Sequence, residues 1–171
     1  MVIANKQTNK QIVWKQKLVK ISRVSKVAKG GKKMSFRAVV AVGNKEKKVG
    51  VGIGKADEVS TAIKKAQADA KKNIITIPIA EGRTIPHSIV KNEGGAKVFI
   101  RPAVQGTGVI AGSSVRIVLE LAGITNILSK QLGSNNALNN ARATIKCLKS
   151  LTTIEQVLAK REVSLEHLLG K

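Results

Sequence analysis

The residues whose types suit chemistry fall into two glycine-rich runs, two histidines, one cysteine and a dense set of lysines. Gly50-Val51-Gly52-Ile53-Gly54-Lys55 has the ingredients of a phosphate loop, where glycine amides wrap a phosphate and a lysine neutralises it. A Walker A loop, however, puts four residues between its key glycines and a Ser or Thr after the lysine to hold magnesium. Here three residues separate Gly50 from Gly54 and Ala56 follows Lys55, so the magnesium ligand is missing and nucleotide binding is not expected. Gly106-Thr107-Gly108-Val109-Ile110-Ala111 fits the dinucleotide pattern with Ala in third place. Pro102 and Gln105 interrupt the approaching strand, and no acid stands about 20 residues further on. A close-packed turn leading into a helix is the reading that remains.

Nucleophilic chemistry fares no better. His87 follows Pro86 and His167 lies in the acidic C-terminal stretch, and neither has an obvious Ser, Cys or Asp partner for a catalytic arrangement. Cys147 falls at an apolar helical phase and is expected in the core; alone it makes no internal disulfide, which suits a reducing compartment. The ten carboxylates are scattered, and no metal-ligand spacing occurs. No enzyme, metal, cofactor or small-molecule substrate is expected.

The lysines carry the remaining signal. Of 171 residues, 31 are Lys or Arg and 10 are Asp or Glu, a net charge of +21 whose self-repulsion calls for a polyanionic partner. Apolar residues make up 43%, enough to close a core and to exclude a disordered polycation. Twelve basic residues precede Glu46, the first acid, so the electrostatic footprint lies at the N-terminal end. Trp14, Phe36 and Phe99 are the only aromatic residues, too few for a platform that stacks successive bases, which favours phosphate binding by cations and amides. Phe36 begins an apolar strand and is expected to pack rather than stack on a base. No stretch reaches the ~20 apolar residues of a membrane span. The N-terminus lacks an apolar signal core and the Arg and Ser of a transit peptide, so the chain is expected to work where it is made.

These residues must be positioned by a small set of elements. Residues 1–13 read as a flexible basic arm. Leu18 to Val27 and Phe36 to Val42 read as strands of a hairpin whose basic tip is Ala28-Lys29-Gly30-Gly31-Lys32-Lys33. After a turn at Asn44-Lys45-Glu46-Lys47, Val49 to Lys55 reads as a third strand with glycines at 50, 52 and 54, one face of which another surface must approach closely. Val59, Ala62, Ile63, Ala66, Ala70 and Ile74 trace an amphipathic helix. Lys64, Lys65, Lys71 and Lys72 lie off its apolar stripe, as a solvated face or an RNA contact. Pro78 and Pro86 bracket a join. Beyond it, Ala96 to Arg101 reads as a strand, Ser114 to Ala122 as a helix, Asn126 to Leu132 as a short strand or turn, and Ala137 to Leu151 as a helix. The fold class is α+β, in two small domains at 14–77 and 87–152, with a linker at 78–86 and a helical tail at 153–171.

The segments Arg23-Val24-Ser25-Lys26, Lys29-Gly30-Gly31-Lys32, Phe36 to Asn44 and Val49 to Ala56 closely resemble the N-terminal signature of the small-subunit ribosomal protein S-five family. Arg101-Pro102-Ala103, Gly106 to Gly112, Val118 to Gly123, Leu132-Gly133-Ser134-Asn135 and Arg142-Ala143-Thr144-Ile145 resemble its C-terminal domain, in order. The resemblance implies a double-stranded-RNA-binding-like first domain, with a three-stranded antiparallel sheet plus helix, and a β-α-β-α second domain. It implies binding of small-subunit (16S-type) rRNA, a role in translation and decoding accuracy, and residence on a ribosome of bacterial cytoplasm or plastid stroma. RNA-binding positions are then Arg23, Ser25, Lys26, Lys29, Gly30, Gly31, Lys32, Lys33 and Lys55. Ser22 to Lys33 matches a loop that enters rRNA near the head and neck and is associated with spectinomycin sensitivity. Gly106, Thr107, Gly108 and Arg116 fall in a segment facing ribosomal protein S-four; protein S-eight is another implied neighbour, as is messenger RNA where it enters the subunit.

Physically, Lys26, Lys29, Lys32 and Lys33 would meet phosphates as point charges, Arg23 would offer a planar fork, and Gly30 and Gly31 would let the backbone come close. A solvated strand face is the plainer alternative for Arg23 and Lys26. Asn44-Lys45-Glu46-Lys47 departs from the family's usual Asp-Gly-Asn-Gly turn, and Ser113, Ser114 and Ala137 also differ from common family residues. Lys outnumbers Arg 24 to 7, as in AT-rich genomes. A DNA-compacting architectural protein is the alternative that the charge alone leaves open.

Overall fold

Small and β-branched residues dominate the chain from Lys15 to Ala56, and they form three antiparallel strands, β1 (Lys15–Ala28), β2 (Gly31–Gly43) and β3 (Lys48–Ala56). The structure, a computed structural model, describes residues 13–163; all but the last residue of the expected arm, and residues 164–171 of the expected tail, lie outside the described residues. β2 is central, and Ala38 to Val42 are buried on both faces, which is why that stretch reads as an unbroken apolar run. Ala38, Val40 and Val42 pack with α1 (Val59–Lys72), whereas Ala41 joins a larger core shared with the second half of the chain.

The alternate glycines of β3 explain how closely α1 sits. A Cβ at Gly50, Gly52 or Gly54 would collide with the α1 backbone at Ala70, Ala66 and Ala62, so glycines on the strand interlock with alanines on the helix. Asp69 of α1 also accepts a hydrogen bond from the Ile53 amide at 2.9 Å, satisfying an edge that strand pairing leaves open.

The helix stops short of Ile74. The Asn73 amide donates to Asp69 and Ala70 carbonyls, and the β-branched Ile74–Thr76 turns back as β4 against Lys48 to Gly50. The expected three-stranded sheet therefore carries a fourth short strand, in the order β1-β2-β3-β4.

The second half has strands β5 (Ile89–Glu93), β6 (Ala96–Pro102), β7 (Val109–Ile110) and β8 (Ile127–Gly133), with helices α2 (Ser113–Ala122), α3 (Ala137–Lys149) and α4 (Ile154–Arg161). Its sheet runs β5-β6-β8-β7, with only the β7, β8 pair parallel. The expected strand at Ala96 and the two long helices stand where periodicity put them. β5 and β7 are additions to the β-α-β-α order. The chain is an α+β protein built on two sheets.

The halves are joined by polar contacts as well as by core. Amides of Lys45 and Lys47, in the β2–β3 turn, donate to the Leu121 and Ala122 carbonyls at the end of α2, at 2.9 and 3.1 Å. Lys17 of β1 pairs with Glu120 of α2 at 2.6 Å. The departing turn sequence thus makes a structural contact, with Lys45 (φ 58°) and Lys47 (φ 93°) in backbone conformations that favour glycine.

Candidate nucleic-acid interface

The expected six-residue tip contracts to two. Ala28 pairs with Gly31, leaving Lys29 and Gly30 as the corner, and Gly30 (φ 87°) takes the left-handed conformation. Lys32 and Lys33 therefore belong to β2. The region matched to a family loop is a two-stranded blade in which residues 25–34 are all exposed. No described element packs on either face of it.

Register fixes which cations share a face. Lys26 lies directly opposite Lys33, and on the same side Arg37 pairs with Lys55, giving a row that runs from blade to sheet. Arg23, Ser25 and Val27 lie on the other side, opposite Phe36, Met34 and Lys32. Like charges directly across a ladder are destabilising. Among the described residues the ion pairs are Lys17 with Glu120 and Lys146 with Glu93, and neither involves a blade cation. Both glycines at the corner leave open space, with nothing within 4 Å of a hypothetical Cβ. The blade thus presents cations, an uncovered backbone and no internal counter-charge.

Phe36 is half-buried in the α1-side cluster with Trp14 and Ile21, as its place at the head of an apolar strand suggested. Arg37 is the residue the sequence reading missed: its Nε is buried without a hydrogen-bond partner, between the blade and Lys55. Only strand parity, with the hairpin register known, would have placed it in the cation row. Lys64, Lys65, Lys71 and Lys72 are exposed on α1.

The second group of candidate residues lies in the other sheet. Gly106 (φ 95°) and Gly108 (φ 77°) shape the turn before β7, and their amides donate to Asn126 Oδ1 at 3.0 and 3.2 Å. Asn126 Nδ2 donates to the Gly82 carbonyl at 2.7 Å. This buried side chain, also missed, ties the turn to the segment between the sheets. Thr107 is exposed and its hydroxyl donates to Val104 O; Arg116 is exposed on α2. No hydrogen bond or ion pair among the described residues connects this group to the blade.

The nucleophile candidates are structural. His87 Nε2 accepts from the Thr152 amide at 3.2 Å while Nδ1 lies 3.1 Å from Ser88 O, so the ring joins the segment before β5 to the connection between α3 and α4. Cys147 is fully buried, and desolvation pushes its thiol up to about 11. Among the described residues no group of three or more His, Cys, Asp or Glu side chains is placed to hold a metal.

A folded chain of net charge +21 that presents an exposed basic blade has the electrostatics of a nucleic-acid-binding protein. The family models described as "Ribosomal protein S5, N-terminal domain" and "Ribosomal protein S5, C-terminal domain" match residues 14–78 and 91–161. The chain is 60% identical to small ribosomal subunit protein uS5c of Trieres chinensis over 86% of this chain and 80% of that one. It is 54% identical to uS5 of Trichormus variabilis, covering 96% and 95%, and 52% identical to uS5 of Thermosynechococcus vestitus, covering 99% and 100%. The chain belongs to the ribosomal protein S5 family and is a structural constituent of the small ribosomal subunit.

Proposed function

We propose that the β1–β2 blade is the element by which this chain holds small-subunit rRNA. Lys26, Lys29, Lys32 and Lys33 neutralise phosphates, Arg23 supplies a planar fork, Ser25 adds a hydroxyl, and Gly30 and Gly31 admit the RNA backbone to the corner. Lys55 extends the row, with Arg37 between it and the blade. The observation that carries this reading is the pairing of Lys26 with Lys33 on a blade that no described element covers. An isolated two-stranded ribbon gains little from its own contacts, and this one adds repulsion. Phosphate supplies the missing counter-charge.

In the same reading, residues 14–77 act as the RNA-binding domain. Residues 87–152 turn Gly106, Thr107, Gly108 and Arg116 toward ribosomal protein S-four, with S-eight a second neighbour. The chain supports decoding accuracy and helps line the path by which messenger RNA enters. The turn's rigid tie through Asn126 supports the protein-facing role, since it fixes an exposed loop in one shape.

Salt-dependent binding tests the RNA reading. Six cations, Arg23, Lys26, Lys29, Lys32, Lys33 and Lys55, correspond to a slope of log affinity against log salt of roughly −4 to −5. That slope, with small-subunit rRNA fragments displacing duplex DNA at physiological salt, is the expected result; equal affinity for both would favour a DNA-compacting role.

A further inference from the structure

Among the described residues, Arg37 Nε is the one buried side-chain polar atom of the first sheet left without a hydrogen-bond partner. Leaving a buried donor unsatisfied is costly, and more so on a charged group. Register defines its surroundings. Ser22 on β1 and Lys55 on β3 stand directly opposite Arg37, and Lys20, across from Val39, lies on the same side one row further in. Phe36 and Ala38 pack toward α1, so this row looks the other way. Arg37 and Ser22 are half-buried, whereas Lys20 and Lys55 are exposed. Asp57, just past β3, accepts from the Ser35 hydroxyl at 3.3 Å, and no ion pair joins it to Arg37.

We infer that Arg37, Ser22 and Lys55 form a separate site for one RNA phosphodiester at the root of the blade, with Arg37 as its specificity-determining residue. The inference deepens the reading of the blade as an RNA-binding element and rests on it. Four residues of strand at ~3.3 Å each set this row about 13 Å from the Lys26 and Lys33 pair. One phosphate cannot touch both, so the root takes a phosphate of its own. The planar fork of Arg37 grips two phosphate oxygens, Lys55 adds a point charge and Ser22 a hydroxyl donor. A nucleobase is the poorer occupant, because the row offers no ring to stack on and the A-form major groove is closed to side chains. Half-burial holds the fork against the sheet before RNA arrives, so little freedom is lost on binding. The unsatisfied Nε is what that preorganisation costs the free chain.

The test measures binding of the full-length chain to small-subunit rRNA across a salt series, with Arg37→Lys and Arg37→Met beside the unsubstituted chain and a melting curve for each. Arg37→Lys keeps the charge and loses the fork, so affinity should fall about tenfold with the salt slope unchanged. Arg37→Met should bind more weakly still, lower the magnitude of the slope by about 1, and melt no lower than the unsubstituted chain, since it removes an unsatisfied donor. Binding by Arg37→Lys equal to that of the unsubstituted chain, or a melting temperature that falls in step with affinity in either variant, would overturn the inference. So would normal rRNA binding by both variants together with their loss from small subunits, the mark of a neighbouring protein's carboxylate in the site. Preference of the unsubstituted chain for rRNA over duplex DNA checks the blade reading separately, so the two fail by different results.

Discussion

Reversing the charge of Lys33 should move folding and RNA binding in opposite directions. In the free chain Lys33 faces Lys26 across the ladder, and among the described residues neither has a carboxylate partner. Lys33→Glu replaces a like-charge pair by an opposite-charge pair, worth ~0.2–1 kcal/mol across a ladder and nearer the low end for side chains so exposed. A chain of this length shifts by about 2–4 °C per kcal/mol, so the melting temperature should hold or rise by about 1 °C at low salt. Against rRNA the same change removes one phosphate contact and sets a carboxylate in its place. The magnitude of the salt slope should fall by roughly 1 to 2. Thermal melting by circular dichroism and filter binding to a small-subunit rRNA fragment, each across a salt series, read the two effects. A variant that melts several degrees lower, or that binds with an unchanged salt slope, would refute the reasoning.

Other substitutions probe the frame that carries the blade. Gly52→Ala would put a Cβ 2.8 Å from Ala70 Cα and closer still to Ala70 N and Ala66 O; α1 must lift, at a cost of about 3 kcal/mol, seen as a melting temperature lower by roughly 10 °C. Lys47→Gly should stabilise by about 1 kcal/mol, because φ 93° is strained for lysine while the amide bond to Ala122 O survives; denaturant melts check the sign. With its thiol pushed up to about 11 by burial, Cys147 carries little thiolate at pH 8. Its alkylation should be slow in the folded chain and fast in denaturant, as a thiol-reactive dye reports.

Much of this was legible because certain residues announce their constraint. Glycines at 50, 52 and 54 demanded a close neighbour, and α1 supplies it through three buried alanines. The basic tip was legible from charge and paired glycines, but its length was not. Lys29 and Gly30 suffice as the corner, and nothing in the composition of Lys32 and Lys33 says that they continue a strand. β4 was hidden because Ile74 fits the helical phase of α1, and only the Asn73 termination separates them. Arg37 and Asn126 escaped for a different reason. Their roles depend on partners distant in the chain, across a ladder for one and between the two sheets for the other, and no local period encodes such contacts. The same holds for the Lys45 and Lys47 amides at the end of α2.

The central claim is that an uncovered, carboxylate-free blade binds this chain to small-subunit rRNA. The most direct measurement is sedimentation of small subunits assembled with a chain carrying Lys29→Glu, Lys32→Glu and Lys33→Glu, alongside the melting curve of that free chain. Loss of the chain from the subunit peak with nearly unchanged melting is the predicted result. A triple variant that enters the subunit as the unsubstituted chain does would contradict it.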